Sequence, residues 1–179
     1  MSNNNLDQVI LVDEHDKQLG VFDKVEAHRG QGKLHRAISV FLFNDEGKLL
    51  IQRRSAQKIV AASQWANTAC GNVRPGESYL ACALRRLKEE LGIKGIELQE
   101  IGKFQYQVEF ENGFSENEID TVFVGSFSDE AQPNPAEVSA IDWIEFEDLL
   151  KGGRDYAPWV GEIINQPKII KTLTRHANI

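Results

Sequence analysis

Short apolar runs separated by turn-forming residues cover most of the chain and predict a protein rich in β-strands. Residues 8–24 predict a hairpin, because two apolar runs flank the polar turn DEHDKQ. Residues 37–55 predict a clearer hairpin, which turns at Asn44-Asp45-Glu46-Gly47. Further strands are predicted within residues 96–113 and 116–128, and residues 134–152 predict a turn, a strand and then a short helix.

One segment, residues 77–93, has the periodicity of a helix. Leucines recur along it at helical spacing, and Gly92 is a suitable C-terminal stop. The leucines are Leu80, Leu84, Leu87 and Leu91. Residues 159–177 predict a helical tail that is interrupted near Pro167. Residues 26–35 are expected to form a loop, and residues 55–72 an irregular segment with one strand near Trp65 to Ala69.

The composition is that of a water-soluble globular protein. The 179 residues, of which 41% are hydrophobic and 26% charged, favour one domain over residues 1–179. We expect disorder in 1–6, a core over about 7–165 and a C-terminal helical tail. The net charge of −7 disfavours nucleic-acid binding, and no apolar run is long enough to span a membrane. With only two cysteines and no signal peptide, a cytoplasmic protein is expected, as a monomer or weak homodimer.

The helix in 77–93 carries a candidate phosphate and metal site. Arg86 and Glu90 are four residues apart and therefore share one helix face, where Arg86 could grip an anionic group and Glu90 a divalent cation. The alternative is an ordinary surface ion pair. From Gly71 to Ile93, however, the spacing resembles the Nudix box, Gly-x5-Glu-x7-Arg-Glu-(apolar)-x-Glu-Glu-x-Gly-(apolar). The one departure is Arg86, which replaces a metal-binding glutamate of Nudix hydrolases and suits a site that holds a diphosphate without cleaving it.

Two histidines and two glutamates form a second candidate metal site. His28 and His35 flank a glycine-containing loop, and Glu116 and Glu118 are two apart, so on a strand they point to one face. Two imidazoles and two carboxylates suit Zn²⁺, Mn²⁺ or Mg²⁺. The pairs are far apart in sequence, so each residue could equally be structural or solvated.

Taken together, the motifs resemble type I isopentenyl diphosphate isomerase of the Nudix superfamily. The matching stretches follow one another along nearly the whole chain: DKVEAH, LHRAISVFLFN, LLIQRRS, WANTACGN, LRRLKEELG, FQYQ, SENE and APW. The resemblance implies an α+β protein of the Nudix fold, an α/β/α sandwich with a mixed sheet and the box helix at its centre. It also implies an enzyme that moves a double bond from isopentenyl to dimethylallyl diphosphate, with this small molecule as the partner.

The resemblance further implies individual roles. Cys70 and Glu118 match the proton-transfer groups on the two faces of the substrate, and Tyr106 matches a tyrosine hydrogen-bonded to that glutamate. Ligands of a tightly bound Mn²⁺, Zn²⁺ or Mg²⁺ are matched by His28, His35, Glu116 and Glu118. Glu90 matches a ligand of the Mg²⁺ that enters with the diphosphate. The diphosphate grip is matched by Lys24, Arg54, Lys58 and Arg86, and the aromatic wall beside the carbocation by Trp159.

Asn72 departs from the family pattern. The family has a further metal-binding histidine directly after Cys-Gly, where this chain has Asn72. An amide oxygen is a weaker ligand than imidazole for Zn²⁺ or Mn²⁺, so a weaker or Mg²⁺-preferring site is expected. This residue and the box itself leave open a Nudix pyrophosphohydrolase acting on a nucleoside or other diphosphate. A binding domain that has lost its metal is a third interpretation.

Overall fold

The structure, a computed structural model, describes residues 7–178, so the disorder predicted for residues 1–6 lies outside the described residues. Within this range the chain forms nine strands and five helices. The strands are β1 (Gln8–Val12), β2 (Gln18–Asp23), β3 (His35–Phe43), β4 (Leu49–Arg54), β5 (Trp65–Ala66), β6 (Ala69–Asn72), β7 (Gln99–Glu109), β8 (Ser115–Ser126) and β9 (Val138–Ile144). The helices are α1 (Lys24–Ala27), α2 (Tyr79–Leu91), α3 (Phe146–Lys151), α4 (Pro158–Ile164) and α5 (Pro167–His176). No helix in 7–178 is long and apolar enough to cross a membrane.

Strand β3 organises the sheet. It pairs in parallel with β8 and antiparallel with β1, β4 and β6, which makes the sheet mixed. Both predicted hairpins are present, as β1–β2 and β3–β4. The segment expected to hold one strand near Trp65 to Ala69 instead holds two, β5 and β6. The intervening Asn67 and Thr68 are buried and hydrogen-bonded to backbone carbonyls of the sheet.

Helices cover both faces of the sheet. Alternate residues of β3 belong to different apolar clusters, one containing Ile38 and the other Phe41, as expected for a strand buried on both faces. The α2 residue Leu87 packs in the first cluster, and Ile163 of α4 packs in the second. The α+β class and the α/β/α sandwich are therefore confirmed.

Two details differ from the sequence-based expectations. Leu80 and Leu84 of α2 are 43% and 36% exposed, because the face that meets the sheet contains Cys82, Ala83 and the two later leucines instead. Helix α5, separated from α4 near Pro167 as predicted, adds the buried Ile169 and Leu173 to the core. The core therefore extends beyond the predicted limit near residue 165.

Candidate active site

A cavity of about 330 Å³ opens between α1, β6, β8 and the start of α4. Nearly all the candidate residues line it: Lys24, His28, Arg54, Lys58, Cys70, Asn72, Arg86, Tyr106, Glu116, Glu118 and Trp159. His35 and Glu90 are buried just behind its wall. The fold thus gathers residues that are spread over most of the sequence.

The two histidines and two glutamates meet at one end of the cavity. The parallel register of β3 and β8 places His35 opposite Glu118, and Glu116 is two residues earlier on the same face of β8. His28 is held nearby by a backbone hydrogen bond from Ser115 to its carbonyl (2.7 Å). Potential ligand atoms of the four residues all lie within 4.8 Å of one another.

Both imidazoles are oriented to act as ligands through Nε2. Nδ1 of His28 lies 2.6 Å from the carbonyl of Lys24, and Nδ1 of His35 lies 2.7 Å from that of Lys33. Because a carbonyl oxygen only accepts, Nδ1 carries a proton in each ring, so that Nε2 of a neutral ring presents a lone pair. Burial also lowers the pKa of His35, which favours the neutral ring.

The lone pairs face carboxylates, which is the arrangement that a bound cation would satisfy. Nε2 of His28 is 3.1 Å from Glu116 Oε2, and Nε2 of His35 is 3.3 Å from Glu118 Oε1. Glu116 Oε2 is buried and receives no hydrogen bond within the described chain. Two acceptors directed at each other in a buried site are costly unless a proton or a metal ion lies between them. The donor set therefore fits a divalent metal.

Asn72 supplies two N–H donors at the same point. Its Nδ2 lies 2.7 Å from Glu118 Oε1 and 3.1 Å from Nε2 of His35. In this orientation the amide hydrogens partly replace the positive charge of a cation, and the carbonyl oxygen points elsewhere. To act as a metal ligand the amide would have to rotate so that Oδ1 replaces Nδ2.

Cys70 and Glu118 approach the cavity from two different strands. Strands β6 and β8 flank β3, so Cys70 and Glu118 lie on opposite sides of that strand. Burial raises the pKa of the Cys70 thiol to about 12, although the neighbouring Arg54, with Nη1 3.4 Å from Sγ, opposes this. Burial and the charge of Glu116 likewise raise the pKa of Glu118, whose Oε2 accepts a 2.5 Å hydrogen bond from Tyr106. Both groups therefore favour their protonated forms in the metal-free chain.

Trp159 forms an aromatic wall of the cavity. Its indole N–H donates to Asn67 (3.2 Å), which fixes the ring, and the guanidinium carbon of Arg54 lies 4.9 Å from the ring centroid. The ring face is thus already used to bind a cation. Arg54, expected in the diphosphate grip, lines the same cavity and contacts Cys70, Trp159 and the carbonyl of Val60.

The opposite end of the cavity carries the basic groups of the box helix. Arg86 donates to Glu90 Oε1 (2.8 Å from Nε) and to Glu89 Oε2 (2.8 Å from Nη1). The side chain of Glu90 is only 3% exposed and also accepts from Gln52 (2.5 Å), so the pair is buried and is no ordinary surface ion pair. Gly71 makes this arrangement possible, since a Cβ there would lie 2.9 Å from Cδ of Arg86.

Glu137 is the functional candidate that sequence reasoning missed. Its Oε2 lies 2.7 Å from Nη2 of Arg86 and also accepts from Nζ of Lys58. Burial opposes ionisation, but Lys58 and Arg86 outweigh it and lower the pKa of Glu137 to about 2. The only signal in the sequence is the turn PNPAE, which gives no indication that the turn packs beside the box helix.

Known proteins resemble this chain over most of its length. A model of the NUDIX domain matches residues 33–163. Isopentenyl-diphosphate Delta-isomerase 1 of Aromatoleum aromaticum is 42% identical over 164 residues, which cover 89% of this chain and 92% of the relative. The isopentenyl-diphosphate Delta-isomerase of Nocardia farcinica is 41% identical over 161 residues, covering 87% and 91%.

Solved structures share the fold at lower sequence identity. A crystal structure from Deinococcus radiodurans superposes with a TM-score of 0.73 at 22% identity, covering 89% of this chain and 98% of the other. A MutT protein from Methanosarcina mazei gives 0.60 at 20% identity, covering 81% and 93%. The Nudix fold predicted from the box spacing is confirmed. The chain belongs to the Nudix superfamily and, within it, to the isopentenyl-diphosphate Delta-isomerase family.

Proposed function

We propose that this protein is an enzyme that converts isopentenyl diphosphate to dimethylallyl diphosphate by a 1,3-proton shift. The observation that carries the proposal is the placement of Cys70 and Glu118 on strands either side of β3, facing one cavity. A reaction that adds a proton at one carbon and removes another from a neighbouring carbon needs two such groups. The names of relatives at about 40% identity support the same reaction.

The chain's own residues account for each requirement of this reaction. Protonation of the alkene by one of the two groups gives a tertiary carbocation, and transfer of a proton to the other completes the shift. The face of Trp159, already in contact with the Arg54 guanidinium, can stabilise the carbocation by roughly 2 kcal/mol in a desolvated site. Tyr106 holds the carboxyl of Glu118 in position through its 2.5 Å hydrogen bond.

The charged ends of the cavity hold metal and substrate. His28, His35, Glu116 and Glu118 would hold a Mn²⁺, Zn²⁺ or Mg²⁺ ion, while Glu90 would contact Mg²⁺ that accompanies the diphosphate. When bound, the first ion would stabilise the ionised form of Glu118 and so adjust its acidity. Lys24, Lys58 and Arg86 line the cavity as partners for the diphosphate. Binding energy from that group positions the unreactive five-carbon chain.

The proposal is tested by incubating the purified protein with isopentenyl diphosphate and Mg²⁺, with and without Mn²⁺ or Zn²⁺, and measuring dimethylallyl diphosphate. Conversion is expected in at least one metal condition, and its absence in all of them would exclude the isomerase. The same reactions are assayed for released phosphate. No release is expected, because Arg86 stands where hydrolases of this superfamily carry a metal-binding glutamate. A cytoplasmic location and a monomeric or weakly dimeric state remain predictions that cell fractionation and sedimentation can check.

A further inference from the structure

Glu137 is fixed in place by a turn that packs against the end of α2. Backbone N–H groups of Gln132 and Asn134 donate to the carbonyls of Leu91 (2.7 Å) and Glu90 (2.8 Å), the last residues of that helix. The carbonyl of Glu137 accepts from the backbone of Ser55 (2.9 Å). The backbone of Glu137 is therefore held from two sides.

The carboxylate of Glu137 pairs with two of the cations that the proposed function assigns to the diphosphate. These are Arg86 and Lys58, which line the cavity, and the Glu137 side chain that pairs with them is 27% exposed. An incoming diphosphate must either share these cations with Glu137 or displace it. If the diphosphate displaced Glu137 from these cations and no other cation replaced them, a partly buried carboxylate would be left beside a second anion, which is unfavourable.

Glu90, which shares Arg86 with Glu137, suggests how Glu137 could gain a new positive partner. Nη2 of Arg86 lies 2.7 Å from Glu137 Oε2 and also 2.7 Å from Glu90 Oε1, so one nitrogen serves both carboxylates. A divalent cation that arrived with the diphosphate beside Glu90 would provide a new positive partner for Glu137 as Arg86 turns to the phosphate oxygens. Free diphosphate brings only negative charge and provides none.

We propose that Glu137 is a positioning and selectivity residue: its carboxylate occupies the diphosphate grip and yields only to a diphosphate that is accompanied by a divalent cation. This inference rests on the proposed function for the identity of the grip residues. Glu137 thereby distinguishes metal-bound from metal-free diphosphate.

The test is calorimetric titration of inorganic pyrophosphate into wild-type protein and into Glu137→Gln, each with and without Mg²⁺. Glu137→Gln is expected to bind metal-free pyrophosphate about tenfold or more tighter than wild type, because the competing charged hydrogen bonds are lost. The gain in affinity that Mg²⁺ gives should shrink by a similar factor. Asp142→Asn is the matched control, since it removes the same charge from a pair with Arg154 outside the cavity lining, and it should leave both affinities unchanged.

A merely structural role predicts the reverse. If Glu137 only supports Lys58 and Arg86, its substitution loosens both and weakens pyrophosphate binding with or without Mg²⁺. Unchanged or weaker metal-free binding by Glu137→Gln therefore overturns the inference. Glu137→Ala is titrated in parallel, with thermal unfolding of both variants, so that a folding defect in one does not decide the result.

Failure of the inference can be told apart from failure of the proposed function. An isomerase whose Glu137→Gln variant gains no metal-free affinity contradicts only the role of Glu137. A protein that shows the gain but does not convert isopentenyl diphosphate contradicts only the isomerase.

Discussion

The two ends of the cavity satisfy their charges in opposite ways. At the histidine end, carboxylate oxygens of Glu116 and Glu118 face imidazole lone pairs, and one of these oxygens has no hydrogen-bond donor among the described residues. At the box-helix end, every guanidinium nitrogen of Arg86 already contacts a carboxylate of α2 or Glu137. One end lacks positive charge, whereas at the other Arg86 and Lys58 are already paired with carboxylates.

We therefore expect the histidine end to bind its cation, and the box-helix end its diphosphate, by different processes. A cation at the histidine end adds an interaction and breaks only the hydrogen bonds of Asn72, so its binding should stabilise the folded chain directly. A diphosphate at the box-helix end exchanges partners with existing ion pairs, so the nearby basic residues do not by themselves give tight binding. Glu118, one of the two reacting groups, belongs to the histidine end itself.

Replacement of Cys70 should have the largest effect and should leave both ends intact. Cys70→Ala removes one proton-transfer group from the cavity, and a loss of about 10²- to 10⁴-fold in kcat is expected. Metal content and pyrophosphate affinity should remain at the wild-type level. Cys82→Ala is the matched control, because Cys82 lies on the buried face of α2, and it should lower stability without a comparable loss of kcat. A fully active Cys70→Ala enzyme would remove Cys70 from the mechanism.

Removal of a histidine tests the end that lacks positive charge. His35→Ala deletes one oriented Nε2 ligand, and metal affinity should fall by at least the ~10- to 100-fold typical of losing a supporting group at a metal site. Competition with a chromophoric chelator measures this without reference to turnover. The control is His15→Ala, whose side chain is 83% exposed and should have no influence. Equal metal affinity in both variants would contradict a metal site at this end.

Gly71 tests how closely the box-helix end is packed. In Gly71→Ala the new Cβ would lie 2.9 Å from Cδ of Arg86, a side chain already held by three carboxylates, so the strain cannot be relieved easily. The free energy of unfolding should fall by about 1–3 kcal/mol, as for other overpacked sites. Urea unfolding measures the change. Gly153→Ala, where a new Cβ meets nothing within 4 Å, is the control. If the free energy of unfolding falls no more in Gly71→Ala than in Gly153→Ala, Arg86 is free to move.

Local patterns in the sequence predict most of the elements but not the contacts between them. The β3–β4 hairpin and helix α2 follow from alternation and helical spacing, which depend only on near neighbours. Which face of α2 meets the sheet depends on tertiary packing, and so the exposure of Leu80 and Leu84 was not anticipated. The Nudix fold itself is implied by the resemblance of the box and the other motifs to a known family.

The contacts within the candidate site are even less predictable from local sequence patterns. His35 and Glu118 are more than 80 residues apart, and only the parallel register of β3 and β8 brings them together. The resemblance to a family supplied this grouping in advance, whereas spacing alone could not. Glu137 had neither a motif nor a known role to mark it, because its position depends on how one turn packs on the end of α2.

Asn72 gives the smallest and most specific test of the contrast between the ends, since its N–H donors partly supply the charge that the histidine end lacks. In Asn72→His an imidazole replaces the amide, and affinity for Zn²⁺ or Mn²⁺ should rise by about tenfold, because these ions prefer imidazole to an amide oxygen. Mg²⁺ affinity should change less. Asn72→Ala separates the two causes: it loses the amide donors without adding a ligand and should not reproduce the gain for Zn²⁺. The measurement is a chelator-competition series with the three ions on all three proteins. If Asn72→Ala and Asn72→His gain equally, the amide hydrogens alone were competing with the ion. If neither variant gains, the histidine end holds its metal without any contribution from position 72.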